Sequence, residues 1–135
     1  MTVRDIAIMT LFNSTSGTPT PVHNPLWLAI NGALYNEEAP EQKANPYVVF
    51  HELSSKPEYT FSTSFEDTLM QFNIYSDTVT ELDSVYEKLK TLFDMCQLSI
   101  TGYTLVFMVR QQSRRMHIEN YWQRIVEYKM YMEKN

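Results

Sequence analysis

Residues 78–94, with the sequence TVTELDSVYEKLKTLFD, predict an amphipathic helix around which the rest of the fold is interpreted. Thr78 can accept a hydrogen bond from the amide of Glu81, and Glu81 can return the bond, which is the pattern of a helix start. Apolar side chains then recur at helical spacing and form one stripe: Val79, Leu82, Val85, Tyr86, Leu89 and Phe93. Such a stripe predicts that the helix packs against one face of a sheet.

Alternating side chains on both sides of this helix predict the strands of that sheet. Residues 47–53 and 68–75 alternate upstream of the helix, and residues 103–109 and 122–132 alternate downstream. We interpret the polar residues 54–64 as the connection between the first two strands, which we expect to be antiparallel.

The N-terminal residues predict a short helix and then a loop. Residues 2–12 carry apolar side chains at near-helical spacing, and Thr2 and Asp5 resemble a capping pair. A loop rich in Pro, Ser and Thr follows at about residues 13–25, because small polar residues and prolines disfavour regular structure.

Two structures fit the apolar residues 26–30. The Asn31-Gly32 pair suits a tight hairpin turn, but Gly32 could equally end a second helical turn. Residues 36–46 carry acids and prolines without a large apolar side chain, so we expect an exposed connection there. Together these elements predict one α+β domain over residues 1–135, an antiparallel sheet with two α-helices packed mainly on one face.

Composition excludes several broad functions. The formal net charge of −5 argues against extensive binding to nucleic-acid phosphates. The single cysteine, Cys96, cannot form an internal disulfide, and its simplest interpretation is a small buried side chain. We expect neither a secretory signal nor a membrane span, because no apolar run reaches the roughly 20 residues that a span requires.

No pattern of reactive side chains predicts catalysis, a metal ion or a cofactor. The three histidines lie in separate segments without the spacing of metal ligands: His23, His51 and His117. The three glycines share no phosphate-binding motif: Gly17, Gly32 and Gly102. We interpret the acidic residues near the middle of the chain as a solvated loop: Glu37, Glu38 and Glu41. We therefore expect no enzyme.

Three arginines form a candidate recognition site. Arg110, Arg114 and Arg115 lie between two predicted strands, where a hairpin tip would present their guanidinium groups to a partner. An ordinary charged loop is the alternative interpretation.

A succession of short motifs resembles the tail-completion, or tail-terminator, proteins of tailed phages. The motifs are Ala39-Pro40, the segment Asn45 to Phe50 with its PYVV strand, Pro57 to Thr60, and a strand from Gln71 that ends in Tyr75-Ser76-Asp77 before the helix. Arg124 and the Tyr128-Lys129 pair resemble the closing strand of that family. The resemblance covers roughly residues 34–132, and the loop at 13–25 departs from the family's longer first helix.

The resemblance implies a structural virion protein that caps the head-proximal end of the tail tube. Such proteins assemble as rings, commonly hexameric, that end tube growth and form the surface for joining the head. The implied partners are further copies of the chain, the tail tube protein and a head-completion or connector protein, with genomic DNA passing through the lumen. The implied location is the virion tail, assembled in the host cytoplasm.

Aromatic and methionine side chains of the closing strand are candidate contacts between copies. Side chains of this kind are common at the centres of protein interfaces. The candidates are Tyr128, Met130, Tyr131 and Met132, although a place in the core fits these residues as well. A head–tail connector or stopper protein is the alternative function, and a small dimeric α+β enzyme or ligand-binding domain is a further one.

Overall fold

The computed structural model describes residues 1–41 and 44–135 of the chain. The helices in this part are α1 (Val3–Phe12), α2 (Pro25–Ile30) and α3 (Val79–Phe93). The strands are β1 (Thr15–Ser16), β2 (Val22–His23), β3 (Leu34–Asn36), β4 (Tyr47–Tyr59), β5 (Ser64–Ser76), β6 (Ser99–Ile100), β7 (Tyr103–Ile118) and β8 (Tyr121–Lys134). The α+β class predicted from the sequence is confirmed in this broad sense.

Six strands form one sheet in the order β3-β4-β5-β8-β7-β6. Strands β4, β5, β8 and β7 pair antiparallel, as the sequence predicts, but β3 lies parallel to β4. The prediction of a purely antiparallel sheet is therefore wrong at this edge. The two strands are parallel because the chain crosses back to the same end of the sheet between β3 and β4, whereas a hairpin would make them antiparallel.

The described residues form three helices, whereas the sequence predicts two. The additional helix is α2, where Asn24 accepts a hydrogen bond from the amide of Trp27 at 2.9 Å. Asn31 adopts a φ of 52° and ends the helix, so the hairpin alternative for this segment is wrong. Helices α1 and α3 contact strands of the large sheet, and α2 contacts α3.

The loop predicted at residues 13–25 is irregular for most of its length but contains the short β1–β2 pair. The exposed connection predicted at residues 36–46 begins as expected, since Glu37 and Glu38 are exposed. Residues 42 and 43 of that connection lie outside the described residues. Asn36 departs from the prediction because it ends β3.

Two hairpins are longer than the sequence predicts. Residues 54–59 and 64–67 are strand residues of β4 and β5, although the sequence indicates a connection there. Most of this hairpin end is exposed on β4, so neither face requires apolar side chains and the alternating pattern disappears. Strand β7 likewise continues to Ile118, past the end at Val109 that the pattern indicates.

The core lies between one face of the sheet and the helices. Phe72 of β5 lies at its centre, with its ring centroid 4.8 Å from that of Phe93 and 5.6 Å from that of Tyr128. Five of the six residues of the predicted α3 stripe are buried, and Val79 is half-buried. The packing predicted for this helix is therefore confirmed.

The start of α3 differs from the prediction in one hydrogen bond. Thr78 accepts from the amide of Glu81 at 3.2 Å, as expected. The Glu81 carboxylate does not return the bond to Thr78. It accepts instead from the hydroxyl of the buried Ser76 at 2.6 Å, and this hydroxyl also accepts from the Thr78 amide at 3.3 Å.

A buried arginine fastens α1 to the sheet. The N-terminal capping pair is confirmed, because Thr2 and Asp5 each accept a bond from the amide of the other. The first turn of α1 places Arg4, which is 8% exposed, against two carboxylates. Its guanidinium lies 2.7 Å from Glu52 of β4 and 3.4 Å from Glu66 of β5. The hydrogen bond from Tyr103, more than the charge of Arg4, lowers the pKa of Glu66.

We predict that Glu66→Gln lowers the free energy of unfolding by about 1–2 kcal/mol at pH 7, because it removes a charge-assisted partner of Arg4. The folded pKa of Glu66 lies below the ordinary value of 4.5, so its contribution is present above that pH and is lost as the pH falls through the folded pKa. Urea unfolding from pH 7 to pH 3 should therefore show the variant converging on the wild type. Glu119→Gln, at an exposed turn, is the control. An equal loss at every pH would contradict the assignment.

Candidate functional site

The arginines that form the sequence-predicted recognition site lie within β7 and not at a hairpin tip. The turn after β7 consists of Glu119 and Asn120. Arg110 and Arg115 pair with Tyr128 and Arg124 of β8. Both of these arginines contact acidic residues of the α3 region, whereas Arg114 pairs with Ile125. The structure therefore does not bring the predicted trio together as one surface.

Arg110 belongs to a polar network between α3 and the β7–β8 hairpin. Its guanidinium donates to the hydroxyl of Tyr86 at 2.6 Å and lies 3.4 Å from a carboxylate oxygen of Asp94. Tyr128 donates to the same carboxylate at 2.5 Å. Burial and this hydrogen bond raise the pKa of Tyr128. Arg110 thus holds the end of α3 against the sheet.

Arg115 and Arg124 contact the same helix nearer its start, at Asp83. Each guanidinium lies 3.6 Å from the Asp83 carboxylate, and that of Arg124 stacks 4.2 Å from the centroid of the Tyr86 ring. Ser113 completes the network through its hydroxyl, 2.7 Å from that of Tyr86. Two of the three predicted recognition arginines, Arg110 and Arg115, therefore have partners within the chain.

Three of the four interface candidates on β8 lie in the core. Tyr128, Met130 and Met132 are 0% exposed and face the helices, so their predicted surface role is corrected. Alternation along β8 identifies two sets of side chains but does not show which set faces the helices, which explains the error. Tyr131 lies on the second face of the sheet. Its ring stacks on those of Phe65 and Phe107 at centroid distances of 5.2 and 5.3 Å.

The second face of the sheet, opposite the core, carries two aromatic clusters separated by polar side chains. The Tyr131 cluster lies at one end, and its hydroxyl donates to Glu58 at 2.7 Å. Tyr75 lies at the other end, with ring centroids of Tyr47 and Tyr121 at 4.9 and 5.7 Å. Burial, followed by the neighbouring tyrosines, raises the pKa of Tyr75.

A shallow pocket of about 170 Å³ separates these aromatic clusters. Its lining consists of Gln71, Gln112, Ser113, Arg114, Ile125 and Glu127. Gln112 donates to Glu127 across the pocket. The lining therefore presents a mixed polar surface, in which Arg114 forms no ion pair within the described residues.

Both outer strands leave long backbone edges without a partner strand in the part of the chain that the structure describes. β3 covers β4 only at residues 48–50, and β6 covers β7 only at residues 103–104. The outer edge of β4 is therefore unpaired at residues 51–59, and that of β7 at residues 105–118 except at Met108, whose carbonyl accepts from the amide of Met95 at 2.9 Å. Free edges present N–H and C=O groups that can pair with another strand.

Bulges interrupt each free edge and turn an apolar side chain outward. The register of β4 shifts between Glu52 and Ser54, and the register of β7 shifts between Leu105 and Phe107. The residues inside these shifts, Leu53 and Val106, are both exposed. Exposed strand edges are expected contacts between the copies of a ring, but the sequence does not show which strands carry them, because β3 and β6 are too short to show a period.

The tip of the β4–β5 hairpin carries the most exposed aromatic side chains of the described residues. Phe61 is fully exposed, and Tyr59 is 80% exposed. The turn itself is ordered, because the amides of Thr60 and Thr63 donate to the carbonyl of Thr63 and the hydroxyl of Thr60 at 2.9 and 3.1 Å. An ordered turn that holds an aromatic ring in solvent is a candidate contact for a partner.

The candidate reactive residues have ordinary structural surroundings. His23 and His117 stack on Trp27 and Trp122 at centroid distances of 3.9 and 4.0 Å. Burial raises the pKa of Cys96 to about 11. Within residues 1–41 and 44–135, no group of three or more His, Cys, Asp or Glu side chains could hold a metal ion. No helix in the same ranges has the length and apolar character needed to cross a membrane.

Comparison with known proteins gives a similarity of fold. No protein-family model matches the sequence, and no curated protein matches it. Among solved structures, a chain from the virion of a native gene transfer agent particle matches with a TM-score of 0.73 and 12% sequence identity. The match covers 81% of this chain and 84% of that chain. A second solved chain, whose name states no function, matches with a TM-score of 0.53 and 13% identity, over 76% of this chain and 79% of that one. This protein therefore shares its fold with a component of a gene transfer agent virion.

Proposed function

We propose that this chain is a structural protein of a phage or phage-like virion. The observation that carries the proposal is the fold shared with a gene transfer agent virion component, at a TM-score of 0.73 over more than four fifths of both chains. The resemblance of the sequence to tail-terminator proteins supports the same conclusion. This support is independent of the fold match, because the two matched chains share only 12% sequence identity.

Within the virion, the proposed role is to cap the head-proximal end of the tail tube as a ring, expected to be hexameric. A closed ring requires two different surfaces on each copy that bind one another head to tail. The sheet supplies two different surfaces of this kind, because its free edges belong to β4 on one side and β7 on the other. The cap would end tube growth and offer its outer surface for joining the head.

The proposed partners follow from this position. They are further copies of the chain, the tail tube protein and a head-completion or connector protein, with the assembled ring in the virion tail. Genomic DNA would pass through the lumen without specific binding, because the net charge of −5 repels phosphates. The proposed role is non-catalytic.

A head–tail connector or stopper protein is the second candidate. The fold similarity favours it equally, since likeness to a virion component does not specify a position within the particle. The two candidates differ in the partner that they bind first, which is the tail tube for a terminator and the portal side of the head for a connector.

We predict that the purified chain binds one end of tail tubes and stops their growth. Tubes would be polymerised from the tail tube protein of the same particle, and tube length and end density would be measured by negative-stain microscopy with and without the chain. Tubes of limited length with a ring at one end support the proposal. Binding to heads but not to tubes would indicate the connector role. A stable dimer in light scattering that binds neither would contradict both.

A further inference from the structure

We infer that neighbouring copies join head to tail, with the β4–β5 hairpin tip of one copy seated in a groove around Leu98 of the next. The free edge of β4 would lie along the free edge of β7 in the same contact. This inference rests on the proposed ring and identifies the surfaces that form it. Its occupant is a second copy of this chain.

The projecting part of the contact is the hairpin tip. Phe61 is fully exposed and Tyr59 is 80% exposed, at the end of strands that extend beyond the helices. Burying a large aromatic side chain at an interface removes apolar surface from water and so favours association. An ordered turn presents these rings with little further loss of conformational freedom on binding.

The receiving part consists of two adjoining surface pockets that share Gln97, Leu98 and Ser99. One pocket, of about 210 Å³, lies against α1 and is completed by Ala7, Thr10, Leu11 and Ser14. The other, of about 600 Å³, lies along the starts of β6 and β7 and includes Ile100, Tyr103 and Leu105. We call the two together the Leu98 groove. The lining of the smaller pocket is mainly apolar, which suits an aromatic ring.

The tip and the groove lie at the same end of the sheet but on opposite sides. A continuous line of paired residues crosses the sheet at this end: Glu58 with Phe65, Phe65 with Glu133, Glu133 with Thr104, and Thr104 with Ser99. The line spans four strand spacings, about 19 Å in total. A copy placed beside this one by rotation about an axis along the strands therefore brings its tip to the level of the groove.

Strand direction favours the same arrangement. Strands β4, β5, β8 and β7 alternate in direction, so β4 and β7 run in opposite directions within one copy. A rotation about an axis along the strands does not change these directions. In copies related by such a rotation, β7 of one copy therefore runs antiparallel to β4 of the next. The strand register also places the two free edges at the same height along the strand axis. His51 of β4 aligns through Gln71 and Glu127 with Gln112 of β7.

Charge is complementary across the proposed contact. Residues 105–118 of β7 include no acid, and of their three arginines Arg110 and Arg115 pair with acids of the same chain, which leaves the charge of Arg114 for a partner. On the opposite side of the sheet, Glu37 and Glu38 are exposed beside β4, and the Glu37 amide donates to the carbonyl of Phe50 at 2.9 Å. Arg114 is exposed and, within the described residues, forms no ion pair. Because Phe50 aligns through Phe72 and Val126 with Ser113, Glu37 and Arg114 lie near the same level on the two sides of the sheet.

Engineered cysteines test the head-to-tail geometry. Ser54 of β4 and Gln111 of β7 are exposed on the second face, and the register aligns Ser54 through Leu69 and Lys129 with Val109, two residues from Gln111. We expect Ser54→Cys with Gln111→Cys to form a ladder of disulfide-linked multimers under mild oxidation. Each single variant should remain unlinked, because a head-to-tail contact joins unlike residues. The wild type, with only Cys96, controls for unrelated crosslinking.

Phe61→Ser tests the tip, with Leu28→Ser on α2 as its matched control because Leu28 is also an exposed apolar residue. We expect Phe61→Ser in the double-cysteine background to reduce multimer yield roughly tenfold, as for an interface hot spot. Leu28→Ser should leave the yield unchanged, and equal melting temperatures would show that both variants fold.

The outcomes separate this inference from the proposed function. Multimers that require both cysteines and Phe61 support the contact, even if the chain fails to bind tail tubes, which would remove only the capping role. Capped tubes without double-cysteine multimers would overturn the contact and leave the capping role intact. Dimers from Ser54→Cys alone would overturn it as well, since they require a symmetric β4–β4 contact.

Discussion

The aromatic contact at the centre of the core is the constraint on which the other features depend. Phe72 packs against Phe93 and Tyr128, and this contact joins α3 to the two central strands β5 and β8. Because it assigns one face of these strands to the helices, it also fixes which side chains remain on the second face. The buried methionines of β8 and the half-buried Tyr131 are consequences of the same alternation.

Polar contacts at the border of this core keep the helices in place. Arg4 ties α1 to Glu52 and Glu66, and the Tyr86 network ties α3 to β7 and β8. Most of the charged side chains that the sequence suggests for partner binding are used in this way. What remains available for partners is backbone at the edges of β4 and β7 and aromatic surface at the hairpin tip.

The sequence predicts the parts of the fold in which burial is one-sided. The stripe of α3 and the alternation in 68–75 and 122–132 arise because each segment has one face in the core, and the structure confirms these elements. The hairpin ends carry no such pattern because both of their faces meet solvent. The sequence therefore ends β4 and β7 too early, and Arg110, Arg114 and Arg115 are placed in a loop that does not exist.

The candidate site is harder to predict from the sequence, because it consists of strand edges that no neighbouring strand covers. A free edge exists because β3 and β6 are too short to cover β4 and β7, which depends on pairing between distant residues. Phe61 is the one part of the site with a local signal, since it is a large aromatic residue between polar turn residues.

Hydrogen–deuterium exchange tests most directly whether the free edges are the assembly surfaces. Amide exchange would be measured by mass spectrometry for the isolated chain and for the chain assembled on tail tubes. The account predicts that peptides covering residues 51–63 and 97–118 become protected on assembly, while α2 and the adjoining surface of α3 keep their rates. Protection confined to the helices, with both edges unchanged, would contradict it.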